Sequence, residues 1–292
     1  MKENLKELIE IVDKLNLSEG INETAIPILT IRKHSESITA HSIFTPLFCL
    51  NLQGNKEIDL GDEHYFYGPG QFILVSAELA LTGRVTNVSK KNPFYGIIIE
   101  IDPLLIIDVL KDMPFYKKDK STPKRALVVN TADNKIFDAT KRLLLTLNAK
   151  DEIPILSKLY IKEILFRLLQ IDSGQTLAQL GLMGSQFQRI KNSISFITNN
   201  FKDKLNVDEL AHAAGMSTAS FHKFFKEVTG FSPIQFQKKI RLIEARGLIL
   251  SNSKGISDIA FSVGYESPSQ FSREYSRKFG ISPNEERLLK KH

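Results

Sequence analysis

The chain has 292 residues, 42% hydrophobic and 25% charged, values ordinary for globular protein and enough for two domains of usual size. No apolar run reaches the ~20 residues a membrane helix needs, and a single cysteine, Cys49, excludes an internal disulfide and any multi-cysteine zinc site. The net charge of +6 is unevenly spread: residues 185–292 hold 17 Lys+Arg and 10 Asp+Glu, against 22 and 23 in residues 1–184. A basic part beside a near-neutral one suits attraction to nucleic-acid phosphates, although many basic domains bind none.

In chain order, Lys2, Glu3, Lys6, Glu7 and Glu10 alternate with Leu5, Leu8, Ile9, Val12 and Leu15 at helical spacing. This segment lacks the uninterrupted apolar stretch of a signal peptide, so the protein is expected to stay in the cytoplasm, away from membranes. From residue 26 to 101 come short apolar runs broken by turn signals: IPILTIR, PLFCLNLQG, KEIDLG, HYFYGPGQFILVS, GRVTNV and FYGIIIEI. Such spacing predicts a compact antiparallel barrel or sandwich, with Gly54, Gly61, Gly68 and Gly70 serving turns and Cys49 a small buried residue in a strand.

After Asp102 the period lengthens, in PLLIIDVLK, NKIFDATKRLLLTL and PILSKLYIKEILFRLLQ, so helices are expected to follow the sheet. The stripe Ile161, Ile164, Leu165 and Leu168 on the last of these would serve a homodimer seam or a bundle packed on the barrel. The segment 171–184, IDSGQTLAQLGLMG, mixes Gly, Ser and Gln and reads as a linker, placing a domain boundary near Ser185.

Beyond it lies an internal repeat. LAHAAGMSTASFHKFFKEVTGFSP (210–233) lies over IAFSVGYESPSQFSREYSRKFGISP (259–283) at an offset of 49, with one residue inserted after the turn. Each copy offers a short apolar helix, a central glycine (Gly215, Gly264) whose freedom permits the turn, and a second helix capped by Ser217 or Ser267. Phe221 with Phe225, and Phe271 with Tyr275, would anchor that second helix. Two helix-turn-helix units are therefore expected, at about 207–228 and 256–278.

The intervening 233–250, PIQFQKKIRLIEARGLIL, reads as one helix of about 27 Å with a stripe of Phe236, Ile240, Ile243, Gly247 and Leu250. A spacer of that reach could present two helices to successive major-groove segments about 34 Å apart. Gly247 is either a weak point in it or a close packing contact. The outward faces carry Thr218, Ala219, His222, Lys223 and Lys226 in the first copy, and Ser269, Gln270, Ser272, Arg273 and Arg277 in the second. Donors and positive charge suit the acceptors of guanine and adenine and the flanking phosphates; the bland alternative is a pair of solvated helix faces.

These residues resemble the DNA-binding domain of the AraC/XylS regulators, in MSTASFHKFFKEVTGFSPIQF, IRLIEAR and VGYESPSQFSREYSRKFGISP. The resemblance covers about a hundred residues and implies a seven-helix domain over 185–292, with recognition helices at 217–228 and 267–278. It implies base contacts at Ala219, His222 and Lys223 and at Pro268, Ser269, Gln270 and Arg273, with Lys223 and Arg273 the strongest candidates.

The stretch AIPILTIR with PLFCLNLQGNKEIDLGDEHYFYGPGQFILVS resembles the N-terminal domain found with a subset of these regulators and implies a cupin-like sensor over 1–184. The fold class is accordingly α+β: an antiparallel cupin-like barrel with flanking helices, then an all-α domain of two helix-turn-helix units joined by a long helix. The expected partners are double-stranded DNA at a promoter or operator, RNA polymerase if the protein activates, and a small-molecule effector whose identity does not carry over.

Catalysis in the barrel is the rival class, since cupin-like barrels often hold iron or manganese. His34, His41 and His64 lack partner ligands at metal spacing. No Gly-rich phosphate loop, nucleophile elbow or HExxH occurs, so neither an enzyme nor a bound metal or cofactor is expected. A third class, a basic module binding RNA or a protein without reading sequence, is distinguished by equal affinity for unrelated duplexes.

Overall fold

The computed structural model describes residues 2–113, 123–251 and 254–289. Its contacts divide the chain into two compact units, one of Met1–Arg189 with Glu227–Gly230, the other of Ile190–Lys226 with Phe231–His292.

The first unit opens with α1 (Lys2–Asp13), followed by nine strands: β1 (Gly20–Glu23), β2 (Leu29–His34), β3 (Ile38–Phe44), β4 (Leu47–Gln53), β5 (Asn55–Leu60), β6 (Glu63–Tyr67), β7 (Gln71–Val75), β8 (Leu79–Thr86) and β9 (Phe94–Glu100). Then come α2 (Pro103–Lys111), β10 (Leu127–Thr131), α3 (Asn134–Leu145), α4 (Lys158–Gln170) and α5 (Gly174–Ala178). The strands form a six-stranded sheet, β1-β2-β9-β4-β7-β10, and a four-stranded sheet, β3-β8-β5-β6, with every named pairing antiparallel. The barrel is therefore two facing sheets rather than one closed ladder. Gly54, Gly61 and Gly70 hold positive φ in its turns.

Register decides which side chains face inward. Across β2, β9 and β4, Arg32 stands beside Gly96 and Gly96 beside Asn51, while His34 stands beside Phe94. That row faces the four-stranded sheet, because the Tyr67 hydroxyl of β6 reaches Cys49 Sγ at 3.9 Å. The opposite row, with Lys33 beside Tyr95, faces the helices: the Tyr95 hydroxyl donates to Asp13 of α1 at 2.7 Å. On β5 the inward residues are Lys56, Ile58 and Leu60, all buried, while Glu57 and Asp59 face out and pair with Arg84.

Three sequence-based expectations change here, and a fourth is narrowed to one of its two alternatives. Strand β10 lies between helices, where only helices were expected, and completes the large sheet beside β7. The expected linker 171–184 is folded: α5 lies in it, Leu177, Ala178 and Leu180 are buried, and the Gln179 amide donates to Ser76 Oγ and to the Lys124 carbonyl. The segment around Pro154 begins as a wide π turn, Ile153–Ser157, before α4. The stripe Ile161, Ile164, Leu165 and Leu168 is buried, with α4 packed on α3 and Arg142 bridging to Glu163.

Around the second unit run α6 (Gln186–Asn199), α7 (Val207–Ala213), α8 (Thr218–Thr229), α9 (Pro233–Leu250), α10 (Ile256–Ser262), α11 (Pro268–Phe279) and α12 (Pro283–Leu289). The repeat extends further than one helix pair. Gly230 and Gly280, at φ +77 and +74, end α8 and α11, and Ser232 and Ser282 then start α9 and α12. Ser232 and Gln235 close a capping box, and the Ser282 hydroxyl and amide exchange bonds with Glu285 in the same way. Among the described residues no helix is long and apolar enough to cross a membrane.

Candidate nucleic-acid interface

The two turns are built alike. Gly215 at φ +62 and Gly264 at φ +90 let the chain reverse, and the next amide bonds back into the first helix, Met216 to the Ala211 carbonyl and Tyr265 to that of Ala260, at 2.9 and 3.0 Å. Aromatic stacks seat the second helices. Phe221 and Phe225 lie 5.7 Å apart, and Phe225 meets Phe236 of α9 edge-on at 5.6 Å. In the other copy Tyr265, Phe271, Tyr275 and Phe279 form a continuous run.

With these faces buried, the opposite ones are solvent-facing. On α8, Ala219, Lys223 and Lys226 are exposed and His222 is half-buried. On α11, Ser269, Gln270, Arg273 and Arg277 are exposed, while Pro268 occupies the first turn. Helical spacing brings each set onto one side of its helix. Several candidates already have partners. Ser217 caps α8, accepting from the Ser220 amide at 3.3 Å, and Ser267 caps α11, accepting from the Gln270 amide at 3.4 Å. Thr218 donates to Asp208 of α7 at 2.7 Å. The Gln270 side chain donates to Glu274 at 3.1 Å.

Glu274 is a junction. It also receives Lys238 of α9 at 3.0 Å and the Tyr265 hydroxyl at 2.9 Å. Burial alone would raise its pKa, but the bonds from Gln270, Lys238 and Tyr265 outweigh that and hold the carboxyl below its ordinary range. The Tyr265 phenol is pushed up by burial and by Glu274.

Sequence reasoning missed a second junction, Arg241. It donates to the carbonyls of Phe201, Lys202 and Asp203 after α6 and to that of Gly264 in the second turn, at 2.7–3.1 Å. Gln237 one turn earlier adds bonds to Phe201 and Asp203. A third junction is Glu286 of α12, buried and shared by Arg246 of α9 and the Tyr275 hydroxyl. Helix α9 is thus a common wall. Its expected stripe is only partly the buried one: Phe236 and Ile240 are buried with Leu242, Ala245 and Ile249, whereas Gly247 is exposed, and a methyl added there would meet nothing within 4 Å.

The histidines of the first unit each have an ordinary explanation. His64 bonds Asp59 at 2.7 Å, His41 bonds Thr82 at 2.9 Å, and His34 lies against the Phe94 ring. Among the described residues no group of three His, Cys, Asp or Glu could hold a metal ion.

Residues 210–288 match the family model of a helix-turn-helix domain. Residues 25–176, more than half of the chain, match that of the AraC-type transcriptional regulator N-terminus. The chain belongs to the AraC-type transcriptional regulators. The thermoregulatory protein LcrF of Yersinia pestis is 30% identical over 173 residues, 59% of this chain and 63% of LcrF. The transcriptional activator RhaS of Escherichia coli O1:K1 / APEC is 25% identical over 52% of this chain and 55% of RhaS. The chain spans less than two thirds of the length of these curated relatives. Among solved structures, ToxT from Vibrio cholerae shares the fold, with a TM-score of 0.56 at 13% identity over 89% of this chain and 97% of ToxT.

Proposed function

We propose that this AraC-type chain is a sequence-specific DNA-binding transcription regulator, not an enzyme, that lays α8 and α11 into successive major-groove segments of a promoter or operator. The observation that carries this reading is the duplicated helix-turn-helix with a solvent-facing, cationic side on both second helices. Lys223 and Arg273 are assigned to base edges, together with His222, Ser269 and Gln270, and Arg273 suits the O6 and N7 of guanine. Gln270 would exchange Glu274 for a base when it binds. Lys226 and Arg277, one turn further along their helices, are assigned to phosphates. Ser217 and Ser267 act as caps, Thr218 braces α7, and Ala219 and Pro268 contribute shape.

In a cytoplasmic regulator, the first unit would answer to a small molecule or to a second copy of the chain and, for an activator, RNA polymerase would be the further partner. The fold of ToxT, one structure of which holds an unsaturated fatty acid, supports the small-molecule alternative. Selection of preferred duplexes from a random pool by the purified chain tests the reading. Enrichment of a two-part site with centres about one helical turn apart is the expected result. Equal affinity for unrelated duplexes at physiological salt would overturn it.

A further inference from the structure

The second helices of the two copies differ at a pair of positions that the repeat leaves unexplained. In α8 the third residue after the cap serine is Ser220, which Ser217 bonds at 3.0 Å, and one turn further stands Phe224. In α11 the matching positions hold Gln270 and Glu274. Serine followed three residues later by glutamine ordinarily closes a capping box, as in α9, where the Gln235 carbonyl oxygen accepts from the Ser232 amide at 3.1 Å. Gln270 has the same spacing from Ser267, but its side chain runs forward, and Nε2 donates to Glu274 Oε1 at 3.1 Å. The side chain is exposed beside Arg273, and among the described residues nothing donates to its carbonyl oxygen.

A carboxylate accepts and does not donate, so Glu274 fixes which end of the amide faces it. Glu274 is itself held from the protein side. Lys238 of α9 donates to Oε1 at 3.0 Å and the Tyr265 hydroxyl to Oε2 at 2.9 Å, leaving the Glu274 side chain 13% exposed. Both its oxygens are engaged, so it steers Gln270 rather than meeting a base.

Facing the major groove, this amide has two courses. Keeping Glu274, it offers its carbonyl oxygen, which only an exocyclic amino group satisfies: N6 of adenine or N4 of cytosine. Giving up Glu274 loses a charge-assisted bond. Adenine returns two bonds for it, from N6 to the carbonyl oxygen and from Nε2 to N7, whereas guanine and thymine present acceptors alone and leave that oxygen unmet. A glutamine without such a neighbour turns its N–H groups toward guanine or thymine at no such loss.

We infer that Glu274 is a specificity-determining positioning residue, which presents Gln270 to the groove with its oxygen leading, so that the base opposite Gln270 is adenine or cytosine and guanine and thymine are rejected. This deepens the proposed reading of DNA by α11 and rests on it. The first copy, with Ser220 and Phe224, has no such device, so the two halves of the site are read by different rules.

The test uses the full chain and duplexes built on the site selected from a random pool, each base pair varied in turn. Gln270→Ala locates the position, as the one whose preference it erases. Wild type is expected to bind the duplexes with adenine or cytosine there, on one and the same strand, about fivefold or more tightly than those with guanine or thymine. Glu274→Leu should lose most of that difference. Glu274→Gln, whose carbonyl oxygen can still accept from Gln270 and Lys238, should keep most of it. Mere loosening of α11 would weaken all four duplexes together and leave their ranking intact, so an unchanged ranking in Glu274→Leu overturns the inference. A wild-type preference that groups adenine with guanine, or adenine with thymine, overturns it too, as does the lack of any position that answers to Gln270→Ala. If thermal unfolding shows that Glu274→Leu does not fold, the wild-type ranking and Gln270→Ala still decide. A selected two-part site whose preferences ignore Gln270 and Glu274 sinks this inference alone, whereas the lack of any preferred site sinks the regulator reading and this inference with it.

Discussion

Replacing Gly264 by alanine is the sharpest probe of how the second helix-turn-helix is held. Its backbone sits at φ +90, and a methyl there would lie 2.3 Å from the Lys202 carbonyl oxygen and 2.9 Å from the Arg241 guanidinium. Gly280, at φ +74, has nothing within 4 Å of the same added carbon. Both substitutions bear the left-handed backbone penalty of about 1–2 kcal/mol. Only Gly264→Ala must also displace the chain after α6 or the arginine bonded to it. Losing one or two charge-assisted hydrogen bonds of Arg241 raises its total to about 3–5 kcal/mol. Hydrogen exchange read by mass spectrometry over residues 200–206 and 256–279, with urea unfolding of the whole chain, measures the difference. Gly264→Ala should remove most protection in both segments while Gly280→Ala leaves 200–206 unchanged. Equal losses in the two variants would refute the role given to Arg241 and its carbonyl cluster.

Gly247 lies exposed in mid-helix with open space around it, so Gly247→Ala should stabilise the second unit by about 0.5–1 kcal/mol, seen as a higher urea midpoint. Arg273→Ala should weaken the selected duplex by about 1–3 kcal/mol and relax preference at one base position. An unchanged preference in the same selection would remove Arg273 from base reading. The depressed Glu274 carboxyl contributes stability that is present above the ordinary glutamate range and lost as pH falls through its lower folded value. Exchange protection of α11 should therefore decline on acidification through that window in wild type and decline less in Glu274→Gln.

The features most legible in sequence are those whose cause is local. Gly215 and Gly264, the cap serines and the paired aromatics announce themselves because turn geometry and capping act within a few residues. The alternation in KEIDLG likewise predicts a strand. What stays hidden depends on distant partners. Arg241 in KKIRLIEAR has the look of a solvated helix cation, and only the return of the chain after α6 gives it three carbonyls. Strand β10 is five residues long and gains its identity from β7, more than fifty residues earlier. Segment 171–184 carries the composition of a linker, yet Gln179 and Leu180 are buried by neighbours that periodicity does not reveal. Spacing picks out the candidate residues on the outward faces of α8 and α11, but not that Thr218 and Gln270 are engaged by Asp208 and Glu274.

Helix α9 changes what a chain with two such units can do. As a bare spacer it would set only the distance between two recognition helices. Here its first turn meets Phe225 of α8 through Phe236, and later turns reach the second copy through Lys238 to Glu274, Arg241 to Gly264 and Arg246 to Glu286. One helix therefore grips both units, and its polar contacts are directional, so rotation of one recognition helix against the other must break several of them together. A pair held this way spends little conformational entropy in engaging the second groove once the first is filled. On the proposed reading, a single chain then suffices for a two-part DNA site, and a second copy would add affinity or regulation rather than complete the reading surface.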